Sequence, residues 1–319
     1  MEFPAVAVKL FYSDEYVAAG HSFDTTRKSK WIADSLQTAP IRGVEIVAPG
    51  PLTRDALTRV HSRKYVDAVA TGEPRDAATS QGFDWDAGLW KAVCASNGGA
   101  VAAALAALKD GVAGSLSSGM HHARRDRGQG FCTFNGLVLA ADAVLHGGAR
   151  RVLILDLDAH CGGGTYAITV GDSRIEHRDV SVSSFDSYPT ERGWQRLQLI
   201  SRAGDYLAAV QGALESVPAG IDLVVYNAGM DPYEGCAIGG LRGITAEMLG
   251  LREAMVFDWA RRRKLPIAFV LAGGYTGTSL DRAQLVSLHR LTVSAAAGLH
   301  VMTGPAETSR GRPGGLAHP

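Results

Sequence analysis

The run Val152-Leu153-Ile154-Leu155-Asp156-Leu157-Asp158-Ala159-His160-Cys161-Gly162-Gly163-Gly164 decides how this chain is read. Its first four residues form a short, continuous apolar segment, which marks a strand buried on both faces. Polar residues then follow at every second position. Because side chains alternate along a strand, Asp156, Asp158 and His160 project the same way from its end. Two carboxylates and an imidazole on one face suggest a metal. The glycines behind them allow close backbone approach, as a strand end lining a site requires. Open α/β sheets bind their ligands at that edge.

The rest of the chain supports such a sheet. Short runs rich in Val, Ile and Leu alternate with longer helical patterns, the signature of a parallel sheet covered by helices on both faces. The runs at 5–12, 44–48, 114–118, 152–158, 180–185, 223–228 and 267–272 read as strands. Helical patterns fall at 29–37, 89–109, 135–145, 205–215, 246–263 and 280–297, with Thr245 and Ser279 placed as N-caps. The stretches 71–86 and 187–193 read as long loops shaping a binding site. Residues 1–303 read as a single catalytic domain, and 304–319, aperiodic and rich in Gly and Pro, as a disordered tail.

Composition narrows the function. With 319 residues, 46% of them hydrophobic, the chain can bury one large core. Lys plus Arg number 32, as do Asp plus Glu, so no strong field draws the chain to nucleic acid or to an anionic membrane. Cys94, Cys132, Cys161 and Cys236 form no Cys-x-x-Cys pair, which argues against a disulfide framework or a zinc knuckle and fits a cytoplasmic setting. No signal segment and no uncharged apolar run of about eighteen residues is evident, so no membrane partner is expected.

Polar residues recur at other strand ends. They are Asn227-Ala228-Gly229-Met230-Asp231 and Ala272-Gly273-Gly274-Tyr275, joined by His121-His122 after Ser117-Ser118-Gly119-Met120. Catalytic zinc takes three protein ligands and leaves a position for water, and Asp158, His160 and Asp231 fill that quota. Such an ion lowers the pKa of its water and polarises a carbonyl, which makes amide hydrolysis possible near pH 7.

These segments, together with Gly130-Phe131-Cys132, resemble in order and spacing the motifs of zinc-dependent histone deacetylases. His21-Ser22-Phe23-Asp24, Val225-Tyr226-Asn227-Ala228-Gly229 and Gly239-Gly240-Leu241 look closest to the class IV branch and its bacterial relatives. The resemblance implies a three-layer α/β/α arginase/deacetylase fold with a central, mostly parallel eight-stranded sheet. It implies zinc on Asp158, His160 and Asp231, with His122 as general base and acid and His121 beside Asp156 as an electrostatic partner. Tyr275 would stabilise the oxyanion. Gly130, Phe131, Gly273 and Tyr188 would line the tunnel for an N-acyl-lysine peptide or a small N-acyl amine. The family's potassium ion would involve Asp156, Asp158, His160 and Ser183.

Departures from the family pattern qualify that expectation. Gly163 stands where the family places Asp or Asn, so His122 is expected to lack its usual orienting side chain, a loss often worth about 10 to 100-fold. Cys161, next to His160, should face away from the metal. Asp84 and Asp86 are the candidates for the rim carboxylate. Binuclear ureohydrolases share the architecture, but their second metal needs carboxylates where this chain has Gly162 and Tyr233. An inactive acyl-lysine binding protein is the remaining alternative; long-chain acyl-lysines and acetylated polyamines are the alternative substrates.

Overall fold

A computed structural model describes residues 7–21 and 23–299. In chain order the strands are β1 (Val8–Phe11), β2 (Val44–Val47), β3 (Val112–Ser115), β4 (Val152–Asp156), β5 (Ile175–Ser181), β6 (Glu191–Arg192), β7 (Gln195–Leu199), β8 (Leu223–Asn227) and β9 (Ile267–Val270). The helices are α1 (Asp24–Thr38), α2 (Arg54–Thr58), α3 (Arg63–Thr71), α4 (Arg75–Ala78), α5 (Ala87–Asp110), α6 (Gly136–His146), α7 (Gly163–Thr169), α8 (Tyr206–Glu215), α9 (Ala246–Arg263) and α10 (Arg282–Ala296). The expected tail 304–319, the start of the first strand at Ala5, and Ser22 lie outside the described residues.

One sheet runs β2-β1-β3-β9-β8-β4-β5-β7-β6, parallel except for the β6–β7 pair. Nine strands replace the expected eight, the addition being the two-residue antiparallel edge strand β6. Strand β4 shows how three layers arise. Leu153 and Leu155 join one core with residues of α1, α8, α9 and α10, while Val152 and Ile154 join the other with α3, α5 and α6. Side-chain alternation thus assigns each half of β4 to a different helical layer. Helix α5 is long and apolar enough by length and composition to cross a membrane, yet 67% of its most apolar window is buried inside this fold.

Where expectation and structure differ, polar pairing explains most of it. The strand expected at 180–185 is β5, which runs through Glu176, His177, Arg178 and Asp179. These residues are buried and break the apolar pattern, but Glu176 pairs with Arg151 and with Arg178, and Asp179 accepts from Ser181 Oγ. Burying the Glu176 charge is tolerable because it is paired, while burial and the charge of Asp156 push the Asp179 carboxyl up to about 8. Helix α10 starts later than the Ser279 cap predicted: Asp281 caps it, in a reciprocal capping box with Gln284. The Thr245 cap on α9 is observed, accepting from the Met248 N–H.

Candidate active site

Four adjacent strands, β3, β9, β8 and β4, point their carboxyl ends at one place. The segments leaving them carry His121-His122, Tyr275, Asp231 and Asp158/His160 respectively. Parallel pairing is what unites residues so far apart in sequence.

The donor atoms of Asp158, His160 and Asp231 lie within 4.8 Å of one another, and all three residues are buried. His160 Nδ1 is 3.2 Å from Asp158 Oδ1 and 3.2 Å from Asp231 Oδ2. Backbone amides orient the carboxylates: Gly273 N donates to Asp158 Oδ2 at 2.7 Å and Ala159 N to Asp231 Oδ1 at 2.9 Å. Among the described residues, Asp231 Oδ2 is left buried with no hydrogen-bond partner. A buried orphan oxygen is costly, so this donor set fits a divalent cation. Burial opposes charge on His160, but the carboxylates of Asp158 and Asp231 beside it outweigh that and raise it to about 10. A cation would use the same negative field.

Gly273 has a different place from the one expected. A Cβ there would sit 2.0 Å from Asp231 Oδ2 and 2.5 Å from Asp158 Oδ2, so Gly273 backs the carboxylates instead of lining the cleft.

The two histidines are each oriented by a carboxylate. His121 Nδ1 is 2.8 Å from Asp156 Oδ2, as anticipated, and Asp156 is itself held by Asn227 Nδ2 at 2.8 Å. His122 Nδ1 is 3.0 Å from Asp186 Oδ2, so the expectation that His122 lacks an orienting side chain is overturned. A carboxylate can only accept, so both Nδ1 atoms carry protons and the Nε2 atoms, 3.1 Å apart, face each other. Burial alone would lower His121, but the charges of Asp156 and Asp158 push it up to about 10. Burial and the neighbouring His121 push His122 down to about 4. The pair is therefore split into a charged and a neutral imidazole at neutral pH.

Beside these groups opens a cleft of about 230 Å³ lined by His122, Gly130, Phe131, His160, Ser183, Phe185, Ile238 and Tyr275. Gly130 and Phe131 were expected there, and both occupy left-handed backbone, φ 54° and 65°. Phe23 braces the wall, its ring 4.4 Å from Phe131 and 5.6 Å from Tyr275. Asp24 ties the Tyr275 segment to α1 by accepting from Thr276 N at 2.5 Å. Burial, with the charges of Asp231 and Asp158, raises the Tyr275 phenol well above its usual value, so it stays protonated as a donor.

Tyr188 does not form the opposite wall. Its hydroxyl turns inward to Asp179 Oδ2 at 3.0 Å, its ring stacks on Tyr166 and His177, and Phe185 takes the wall position. Cys161 turns away from the ligands as expected, its thiol donating to Ser183 O. Asp86 is the N-cap of α5, accepting from Gly88 and Leu89, and pairs with His21 at 3.0 Å. A second group of buried donors joins Asp156, His177 and Asp179. Asp186, Phe185 and Ile238 were missed by the sequence reading; the one signal for the first two was their position just beyond the β5 end.

The class that emerges is a histone-deacetylase-like amidohydrolase. The histone deacetylase domain pattern matches residues 21–291, and the chain belongs to that family. It is 32% identical over 269 residues to an uncharacterized protein of Picosynechococcus, covering 82% of this chain and 88% of the other. It is 27% identical to histone deacetylase 2 of Arabidopsis thaliana, covering 86% and 76%. Acetylpolyamine amidohydrolase 1 of Pseudomonas aeruginosa is 28% identical, covering 72% and 81%. Among solved structures, the HDA15 HD domain superposes with a TM-score of 0.75 at 21% identity, covering 92% of this chain and 90% of that one, and so shares the fold.

Proposed function

We propose that this protein is a zinc-dependent deacylase that hydrolyses N-acyl-lysine or a related N-acyl amine. The observation that carries the proposal is the convergence of the Asp158/His160/Asp231 set, the carboxylate-oriented histidines and Tyr275 on one apolar cleft. Zinc, held by those three side chains, would polarise the acyl carbonyl and lower the pKa of a water. Neutral His122, its Nε2 unprotonated, takes the proton from the attacking water and returns it to the departing amine. His121, kept charged by Asp156, favours the negative charge that develops. The Tyr275 hydroxyl donates to the oxyanion, a contribution of a few kcal/mol in comparable sites.

The cleft walls speak for the substrate. Phe131, Phe185 and Ile238 present apolar surface to an aliphatic stem, and no Asp or Glu is among the lining residues. That favours an acyl-lysine side chain over a free polyamine, whose extra ammonium groups need carboxylates. A class IV placement rests on the spelling of the His21–Asp24 and Gly239–Leu241 motifs. The binding-protein alternative is disfavoured because no member of the proton-transfer or oxyanion set is missing.

The test is hydrolysis of fluorogenic acyl-lysine peptides of graded chain length, and of acetylated polyamines, by zinc-loaded protein with and without chelator. Chelator-sensitive turnover of the peptides is expected, with Tyr275→Phe retaining zinc but losing about 100-fold or more in kcat. No turnover on any substrate would overturn the proposal.

A further inference from the structure

We infer that Asp186 is the positioning residue of His122, supplied from the loop after β5 in place of the side chain that Gly163 lacks. Its catalytic consequence rests on the deacylase reading; the positioning itself does not.

Three observations carry the inference. First, the Asp186 side chain is 2% exposed and its two oxygens have separate partners. Oδ2 meets His122 Nδ1 at 3.0 Å, whereas Oδ1 receives the Arg124 guanidinium and Gln129 Nε2, the latter at 3.0 Å. The carboxylate cannot rotate without giving up one set of donors. Second, the space at position 163 is already taken by Asp186. A Cβ on Gly163 would lie 2.3 Å from Asp186 O, 2.5 Å from its Oδ1 and 2.6 Å from its Cγ, none of them tolerable contacts. A side chain at 163 and the present Asp186 are mutually exclusive, so glycine there accompanies the transfer of the role. Third, Arg124 binds both halves, its Nη1 donating to Gly163 O at 3.1 Å. Asp186 also holds a left-handed backbone, φ 58°, which Asp tolerates better than most residues and which the surrounding contacts maintain.

The separate partners give a test that a structural Arg124–Asp186 ion pair would not pass. In Asp186→Asn, the single amide oxygen is claimed by the Arg124 guanidinium and Gln129, which can only donate to it. The amide nitrogen then faces His122 and needs an acceptor at Nδ1. His122 must move its proton from Nδ1 to Nε2, which removes the lone pair from the cleft. The experiment is NMR of 15N-histidine-labelled, zinc-loaded protein, with the His122 signals assigned through His122→Gln, alongside kcat and KM on an acyl-lysine peptide.

We expect an Nδ1–H His122 in the wild type and an Nε2–H His122 in Asp186→Asn. We expect kcat to fall at least tenfold, with KM within about twofold and the melting temperature nearly kept. Asp186→Ala should lose the hydrogen-bonded Nδ1–H signal and about 10 to 100-fold in kcat. An Nδ1–H tautomer that persists in Asp186→Asn, with kcat within twofold of wild type, overturns the inference while leaving the deacylase reading intact. A tautomer switch in a protein that hydrolyses no N-acyl amine keeps the positioning role and removes the deacylase reading.

Discussion

Acid should weaken this fold through His61, a residue outside the cleft. Its ring is fully buried behind the segment that carries His121 and His122. Nδ1 lies 2.8 Å from Arg124 O, a pure acceptor, so Nδ1 is protonated, and Nε2 accepts from Asn135 N at 3.0 Å. A second proton at Nε2 would break the Asn135 contact. Burial lowers the imidazole from 6.5 to about 4. The unfolded chain thus binds a proton near pH 6.5 that the folded protein refuses until about pH 4. Stability contributed by neutral His61 is full above pH 6.5, declines as pH falls through this window, and levels off below it. At about 1.4 kcal/mol per pKa unit, the loss amounts to roughly 3 kcal/mol. The assay is urea unfolding of the wild type and His61→Gln at pH 7, 6, 5 and 4 and fixed ionic strength. The difference between the two stability curves should shrink by about that amount on acidification. Parallel curves would refute the reasoning. Because Asn135 also donates to the His121 and Ala123 carbonyls, activity of the folded protein should fall only as pH drops through about 4, where the folded His61 ring takes up its second proton and the Asn135 contact breaks.

Two substitutions test other parts of the structure. Gly273→Ala should abolish stoichiometric zinc binding, read as metal content after dialysis, because the new methyl meets both metal-facing carboxylates; a full complement of zinc would disprove the cradle. Glu253→Ala should cost about 3–5 kcal/mol in urea unfolding, since it strips the partner from a fully buried Arg252 that otherwise reaches, among the described residues, Leu157 O, Tyr206 Oη and the Met230 sulfur; a loss under about 1 kcal/mol would show that water reaches this guanidinium.

Much of the fold was legible because period and polarity agreed. Buried apolar runs gave β4, β8 and β9 nearly to the residue, and α9 to its ends, since Thr245 is a cap that the backbone uses. Strand β7, reading Gln195-Arg196-Leu197-Gln198-Leu199, was not legible: its polar residues are accommodated at the sheet's margin by neighbours remote in sequence. At the site, Asp158, His160, Asp231 and Tyr275 stood out as polar residues at the ends of apolar runs. Tyr188 and Gly273 were misplaced, because whether a residue on a strand-end loop faces the cleft or the interior depends on what packs behind it.

The chain's local order determined the parallel sheet, the strand ends that carry the donor set, and the absence of a side chain at Gly163. Alternation and apolar periodicity act between near neighbours, so these features can be read one segment at a time. The partner of His122 was decided only when the loop after β5 folded against α7. Asp186 stands 64 residues from His122, and what joins them is space: the volume left by Gly163 and the charge of Arg124, which come together only in the folded protein.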